Sequence, residues 1–176
     1  MKKIFLHPLL CFSLILFLAS TCCAQLGIVK RPKLALGANF IYAMPQGKFS
    51  DAYKFGVGGE VYGGVGLGST YLLASIGITG YQGQSNVSTL TAVPIKAGLK
   101  KYFLLKKIFI NGDVGVSTIK VSNSSASTFT AGFGAGVRLL GLEAALYYNT
   151  FKNNVGYSTT GYSNNLQAKI GWGLSL

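Results

Sequence analysis

The chain has 176 residues, a formal net charge of +12 at neutral pH, and only four acidic side chains against 16 lysines and arginines. Its three cysteines and single histidine, Cys11, Cys22, Cys23 and His7, all fall within the first 24 residues. From Gln25 onward the chain therefore has no residue for a disulfide, a thiolate nucleophile, a Cys/His zinc site or an imidazole base. We accordingly predict no catalytic residue, no metal site and no cofactor.

Residues 1–24 have the pattern of a cleaved secretory signal peptide. Lys2 and Lys3 give a positive start, an apolar run continues to Ala19, and a small-residue stretch ends at Ala24, after which we place cleavage. An uncleaved anchor helix would need about 20 apolar residues, and Pro8 interrupts the run. A lipoprotein leader is the other alternative, but the residues before its cysteines lack the pattern that such processing requires.

Eight segments of the remaining chain alternate apolar residues with small or polar ones, and this period of two predicts β-strands. In chain order the predicted strands are residues 33–44, 53–67, 70–81, 90–103, 107–120, 128–140, 142–152 and 166–176. Each strand is long enough to cross a bilayer, which takes roughly 9 to 11 residues when the strand is tilted. We therefore predict an all-β domain over residues 33–176.

Glycine and aromatic residues are both abundant, with 24 glycines, 10 tyrosines and 11 phenylalanines. A barrel wall accommodates this mixture, because aromatic residues ring the membrane interfaces and glycine relieves crowding inside a narrow lumen. Gly132, Gly134 and Gly136 illustrate the second role, since they lie within the sixth strand and no helix follows them. We interpret them as interior-facing glycines and not as a dinucleotide-binding loop.

The connections between the predicted strands alternate in length. Short breaks at residues 66–69, 104–106 and 140–141 follow the second, fourth and sixth strands. Longer polar breaks follow the others, as at residues 82–88, 121–127 and 153–164. Short turns at one end and long loops at the other are typical of an up-and-down outer-membrane barrel. Both ends of the barrel domain then lie on the side of the short turns, which would be the periplasm.

Charged residues on the strands share the face opposite the apolar one. Seven residues form this predicted polar cluster in the lumen: Glu60, Lys96, Lys100, Asp113, Arg138, Glu143 and Lys169. Inside a barrel these charges can be paired and hydrogen-bonded, whereas facing hydrocarbon they would cost a few kcal/mol each. The pattern thus favours a barrel with its apolar face toward lipid. A secreted, soluble lipocalin-like barrel, with the two faces exchanged, is the alternative.

Two segments resemble a known family. The tail Lys169-x-Gly171-x-x-Leu174-x-Leu176 is similar to the C-terminal assembly signal of outer-membrane barrels, although the family usually ends in an aromatic residue. Residues 93–103 resemble the strand-and-turn segment of the outer-membrane protein beta-barrel domain family of Gram-negative bacteria. The resemblance covers residues 33–176. It implies an eight-stranded antiparallel up-and-down transmembrane β-barrel in the cell outer membrane, preceded by the signal peptide and a short periplasmic segment at residues 25–32.

The same resemblance implies a non-enzymatic protein with a structural, adhesive or narrow-pore role. Its expected partners are outer-membrane lipid and the barrel-assembly machinery, which would recognise the C-terminal strand. Lipid-modifying enzymes exist among small outer-membrane barrels, but one built without histidine would have to rely on Glu60, Asp113 or Glu143. Nucleic acid is not expected as a partner, because the lysines cluster at strand ends and no recognition-helix pattern accompanies them.

The longer loops offer a second binding surface, toward an extracellular or envelope protein. Residues 44–51 and 153–164 combine aromatic and polar side chains. Phe49, Phe151, Tyr157 and Tyr162 are the predicted contact residues. The alternative, which we favour, is that these four rings lie near the lipid boundary.

Overall fold

The computed structural model describes residues 32–84, 87–122, 124–153 and 161–175. The predicted signal peptide, its cleavage site, most of the segment before the barrel and Tyr157 lie outside these residues. The described part consists of eight strands and one short helix, and that helix is not long and apolar enough to cross a membrane. In chain order the elements are β1 (Lys33–Gln46), α1 (Lys48–Ala52), β2 (Tyr53–Leu67), β3 (Thr70–Gly83), β4 (Leu90–Phe103), β5 (Ile108–Val121), β6 (Ser124–Leu139), β7 (Leu142–Asn153) and β8 (Gly161–Ser175).

The strands form a closed antiparallel barrel in which each pairs with its neighbours in chain order. The last strand closes on the first, with Ala35 opposite Ser175 at one end of the ladder and Gln46 opposite Asn164 at the other. Closure leaves the sheet without the two free edge strands that an open sheet would expose. The predicted eight-stranded up-and-down barrel is confirmed.

The predicted strand limits match best where alternation is strongest, and β2 and β4 begin and end where the sequence indicates. The loop predicted at residues 121–127 is wrong, because β5 and β6 stay paired up to Val121 opposite Ser124. From Ser124 to Phe129, β6 pairs with β5 but not with β7, and the backbone hydrogen bonds of that ladder form whatever side chains the strand carries. Its Ser and Thr side chains therefore give no alternation to detect. The helix α1 is likewise absent from the sequence prediction.

The outer wall is apolar on every strand. The exposed side chains include Phe40, Val61, Ile76, Ile95, Val114, Phe133, Leu146 and Ile170. Leu34, Leu36, Leu72, Leu99, Leu142, Trp172 and Leu174 extend this belt toward the end that carries the short turns. Ile95 keeps 61% and Phe133 67% of its surface exposed, values expected for a wall that faces lipid.

The interior is packed in layers. At the end with the longer connections, here called the loop end, an apolar cluster fills the lumen: Ile41, Ala43, Phe49, Tyr53, Tyr81, Leu90, Ala92, Ile119 and Phe151. At the opposite end, the turn end, a smaller cluster contains Ala35, Tyr71, Tyr102 and Phe109. Glycine makes room for these rings, since a Cβ atom at Gly56 would lie 2.7 Å from the Tyr81 ring. The charged residues occupy the space between the two clusters.

Candidate functional site: the charged lumen

The structure places all seven residues of the predicted polar cluster inside the barrel. They come from six strands: Glu60 from β2, Lys96 and Lys100 from β4, Asp113 from β5, Arg138 from β6, Glu143 from β7 and Lys169 from β8. Five of them are almost fully buried, and Asp113 and Arg138 are partly buried. They separate into two groups along the barrel axis.

The Glu143 cluster lies toward the turn end and consists of Glu143, Lys100, Arg138, Tyr62 and Tyr102. The Lys100 Nζ atom lies 2.5 Å from Glu143 Oε2, and the Arg138 Nε atom lies 3.9 Å from Glu143 Oε1. The hydroxyl of Tyr62 donates to Oε2 at 2.9 Å and that of Tyr102 to Oε1 at 2.6 Å. One carboxylate is thus held by two cations and two phenols, which offset the cost of burying its charge.

The Glu60 cluster lies nearer the middle of the barrel and consists of Glu60, Lys169, Lys96, Asp113 and Asn39. Lys169 Nζ donates to both carboxylate oxygens of Glu60 at 3.1 Å, and the Asn39 amide donates to Oε1 at 3.2 Å. Lys96 Nζ lies 3.2 Å from Asp113 Oδ1 and 3.9 Å from Glu60 Oε2, so it bridges the two acids. The Tyr147 ring also faces Lys169, with Nζ 4.1 Å from its centroid.

Strand geometry explains why the charges divide in this way. Lys96 and Lys100 lie on the same face of β4 four residues apart, a separation of about 13 Å along the strand, so each reaches a different cluster. Some partners are cross-strand neighbours, such as Arg138 opposite Glu143. Others meet only across the lumen, as Lys100 of β4 meets Glu143 of β7.

Sequence reasoning missed the neutral residues that contact the charges of the two clusters. Tyr62, Tyr102, Tyr147 and Asn39 all lie on the inward face of their strands, and the alternation places them there. The signal was present in the period of two, but a ring or amide on a barrel's inner face does not by itself indicate a partner for a charge. Only the closed barrel brings the Tyr62 and Tyr102 hydroxyls to the same carboxylate.

The loop end of the lumen is closed by the Phe49 side chain of α1. Its ring packs edge-on against Tyr81 and Phe151, with centroids 5.1 Å and 5.5 Å apart. Gln84 holds α1 in place, because its side-chain amide donates to the Ser50 carbonyl at 2.7 Å and its backbone N–H donates to the Ala52 carbonyl at 2.8 Å. The connection between β1 and β2 therefore folds into the barrel as a plug.

This plug overturns part of the loop prediction. Phe49 and Phe151 are 5% and 2% exposed, so they are neither contact residues on a loop nor rings at the lipid boundary. They are buried because an eight-stranded barrel is narrow enough for a few aromatic rings to fill the loop end of its lumen. The rings there are those of Phe49, Tyr53, Tyr81 and Phe151. Tyr162 is 68% exposed, as both interpretations expect, and Tyr157 lies outside the described residues.

The voids found between these layers in the described part of the chain are small. A cavity of about 50 Å³ lies between the two clusters and is bordered by Glu60, Lys100, Asn111 and Glu143. A second cavity of about 20 Å³ lies between the Glu60 cluster and the plug. Cavities of this size hold one or a few water molecules, which can satisfy buried acceptors such as the Asn111 Oδ1 atom. The described lumen is thus a packed polar core and not an open channel.

No protein-family profile and no curated protein sequence matches the chain. Among solved structures it is similar to the N-terminal β-barrel domain of Pseudomonas aeruginosa OprF, with a TM-score of 0.54 and 11% identity over 80% of this chain and 97% of that one. It is also similar to Ail, the attachment invasion locus protein of Yersinia pestis, solved with the heparin analogue sucrose octasulfate. That comparison gives a TM-score of 0.51 and 12% identity over 81% of this chain and 97% of that one.

A further comparison, with Neisserial surface protein A, gives a TM-score of 0.47 and 11% identity over 80% of this chain and 96% of that one. The geometry and the first two comparisons define the class of this protein: a closed eight-stranded barrel with a packed, charged interior. Its fold is that of the small outer-membrane β-barrels, as the resemblance in the sequence predicts.

Proposed function

We propose that this protein is a non-enzymatic integral barrel of the outer membrane, with a closed lumen and a role exerted through its outer surfaces. The observation that carries the proposal is the distribution of side chains: apolar residues cover the outside of every strand, while all seven strand-borne charges of the predicted cluster point inward. In water this arrangement would expose a large apolar belt, which soluble monomers rarely do. In a bilayer it is the favourable one.

The packed lumen supports a structural or adhesive role over conduction. The plug at the loop end and the Glu143 cluster at the turn end leave only the water-sized voids described above. An ion crossing the barrel would have to displace both the Phe49 ring and the Lys100–Glu143 pair. We therefore expect recordings from planar bilayers that contain the folded protein to show no single-channel conductance.

The sidedness follows from the proposal. The turn end, with its connections of two to four residues, would face the periplasm, and the loop end would face outward. The barrel-assembly machinery is then expected to recognise β8, whose outward residues Ile170, Trp172 and Leu174 belong to the belt. An extracellular or envelope partner would meet the loop end, where Tyr162 is exposed.

Gel mobility tests the proposal. Protein from outer-membrane fractions is run in SDS with and without boiling, and a heat-dependent shift to a single slower or faster band is expected of a stable membrane barrel. Recovery in the soluble periplasmic or secreted fraction, with no shift, would reject membrane insertion. That result would favour the lipocalin-like alternative instead.

A further inference from the structure

Two neighbouring turns at the turn end expose leucines almost completely. Leu104 and Leu105 lie in the connection between β4 and β5, with 70% and 94% of their surfaces exposed. Leu139 and Leu140 lie at the connection between β6 and β7, with 67% and 87% exposed. These four residues are called the leucine patch. The two turns adjoin, because the backbone N–H of Arg138 donates to the Lys107 carbonyl at 2.7 Å.

Local turn geometry does not account for these leucines. Leu104, Leu105 and Leu140 have φ angles of +45°, +56° and +50°, in the left-handed region that favours glycine or asparagine over a bulky side chain. The third connection at the same end uses Gly68 at φ +66°, the residue that this backbone prefers. Three leucines thus occupy turn positions at which glycine or asparagine would cause less backbone strain and expose less apolar surface.

Among the described residues, the charged side chains beside the leucine patch are all positive. Lys101 and Lys107 are exposed beside it. All four acidic residues of the chain lie elsewhere: Asp51 is in α1 at the loop end, and Glu60, Asp113 and Glu143 are in the lumen. The lysines next to the patch therefore have no acidic side chain to pair with, and the phosphate of a lipid headgroup can supply an anion.

We propose that the leucine patch, with Lys101 and Lys107, binds anionic phospholipid of the leaflet at the turn end. The leucines would contact the ends of acyl chains nearest the headgroups, while the Lys101 side chain extends along the wall toward the turn end, so that its ammonium group and that of Lys107 contact headgroup phosphate. Lys101 also borders an apolar groove on the outer wall, floored by Gly112 and flanked by Leu99 and Ile110, which can receive an acyl chain. The patch continues the lipid-facing belt, so a lipid fits both its apolar and its charged parts. This inference rests on the membrane insertion proposed above.

A native tryptophan lies next to this surface and can serve as its fluorescent probe. Trp172 is the only tryptophan, and its ring packs against Gly141, the residue after Leu140. The backbone N–H of Gly173 donates to the Gly141 carbonyl at 2.8 Å and fixes this contact. Quenching of Trp172 fluorescence by brominated lipid therefore measures which lipid lies beside the Leu140 side of the patch, next to β7 and β8.

The test compares two sets of vesicles that have the same overall composition, phosphatidylcholine with a minority of phosphatidylglycerol. Bromine is carried either by the phosphatidylglycerol or by an equal mole fraction of the phosphatidylcholine. We expect brominated phosphatidylglycerol to quench Trp172 at least about twofold more than brominated phosphatidylcholine, because each lysine near the surface attracts anionic lipid. Raising the salt concentration should shrink the difference.

Two charge-matched variants separate a specific site from the general attraction of a basic protein. K101Q/K107Q should lose the preference, whereas K120Q/K152Q, which removes two exposed lysines at the loop end, should keep it. L105S/L140S should weaken it while leaving the heat-dependent gel shift intact. Each variant is scored only after that shift shows that it has folded.

Equal quenching by the two brominated lipids in the folded wild type would overturn the inference and leave the proposed function standing. Loss of the preference in both lysine variants would also overturn it, since the attraction would then be that of the whole barrel. Cross-linked dimers through the leucine patch, with no lipid preference, would assign the surface to a second copy instead. Absence of quenching by either lipid, with no gel shift, would reject membrane insertion itself.

Discussion

Glu143 is the residue whose replacement tests the packed lumen most directly. In Glu143→Gln the carboxylate that holds Lys100, Tyr62 and Tyr102 at 2.5, 2.9 and 2.6 Å becomes a neutral amide. Lys100 then stays buried without its counter-ion. Removing one partner of a buried pair costs about 3–5 kcal/mol, and an amide oxygen can still accept one of the phenols. We therefore expect the free energy of unfolding to fall by about 3 kcal/mol.

The measurement is urea unfolding of the protein folded in phosphatidylcholine vesicles, followed by Trp172 fluorescence. E143Q/K100Q should recover about 1–2 kcal/mol of the loss, because the double variant no longer buries an unpaired ammonium group. Asp51→Asn is the matched control, since Asp51 is exposed and its replacement should change stability by no more than about 0.5 kcal/mol. A loss below about 1 kcal/mol in E143Q, or no recovery in the double variant, would show that Glu143 is not the centre of a stabilising cluster.

Three further substitutions probe the plug, the belt and the strained turn. Phe49→Ala should destabilise the barrel by about 3 kcal/mol and let a small hydrophilic fluorescence quencher enter the lumen at the loop end. An unchanged midpoint of urea unfolding would argue that the plug is not packed in solution. Ile76→Lys, in the middle of the belt, should lower the free energy of unfolding in vesicles by about 2–4 kcal/mol, whereas Thr70→Lys at the rim of the belt should be nearly neutral. Equal effects of the two substitutions would contradict the assigned lipid face. Leu105→Gly should stabilise the detergent-folded barrel by about 0.5–1 kcal/mol by relieving left-handed strain, and a loss of stability there would mean that Leu105 packs against the protein.

The alternation in the sequence predicts which side chains share a face of the barrel wall, and the charges favour the lumen for one of the two faces. A strand has a strict period of two, so once a segment such as β2 or β4 is identified, every residue on it has an assigned face. The charges followed directly: a carboxylate such as Glu60 on the glycine face of β2 could only point inward if the other face met lipid.

The sequence does not predict which charges meet, because that depends on how the barrel closes. Which residues face each other across the lumen depends on how far each strand is staggered against the next around the closed barrel. The alternation within one strand does not show this stagger. Lys100 could have reached Glu60 or Asp113, but the register of β4 to β7 brings it to Glu143.

The connections were also decided in three dimensions. Phe49 lies in a short segment without periodicity, so its entry into the lumen depends on the space that Tyr81 and Phe151 leave between opposite walls. The hairpin of β5 and β6 extends through a Ser-rich stretch because paired backbones satisfy one another whatever side chains they carry. The alternation of side chains indicates which residues of a strand are buried. It cannot predict a segment whose burial depends on distant strands, as for Phe49, or a paired strand that needs no buried face.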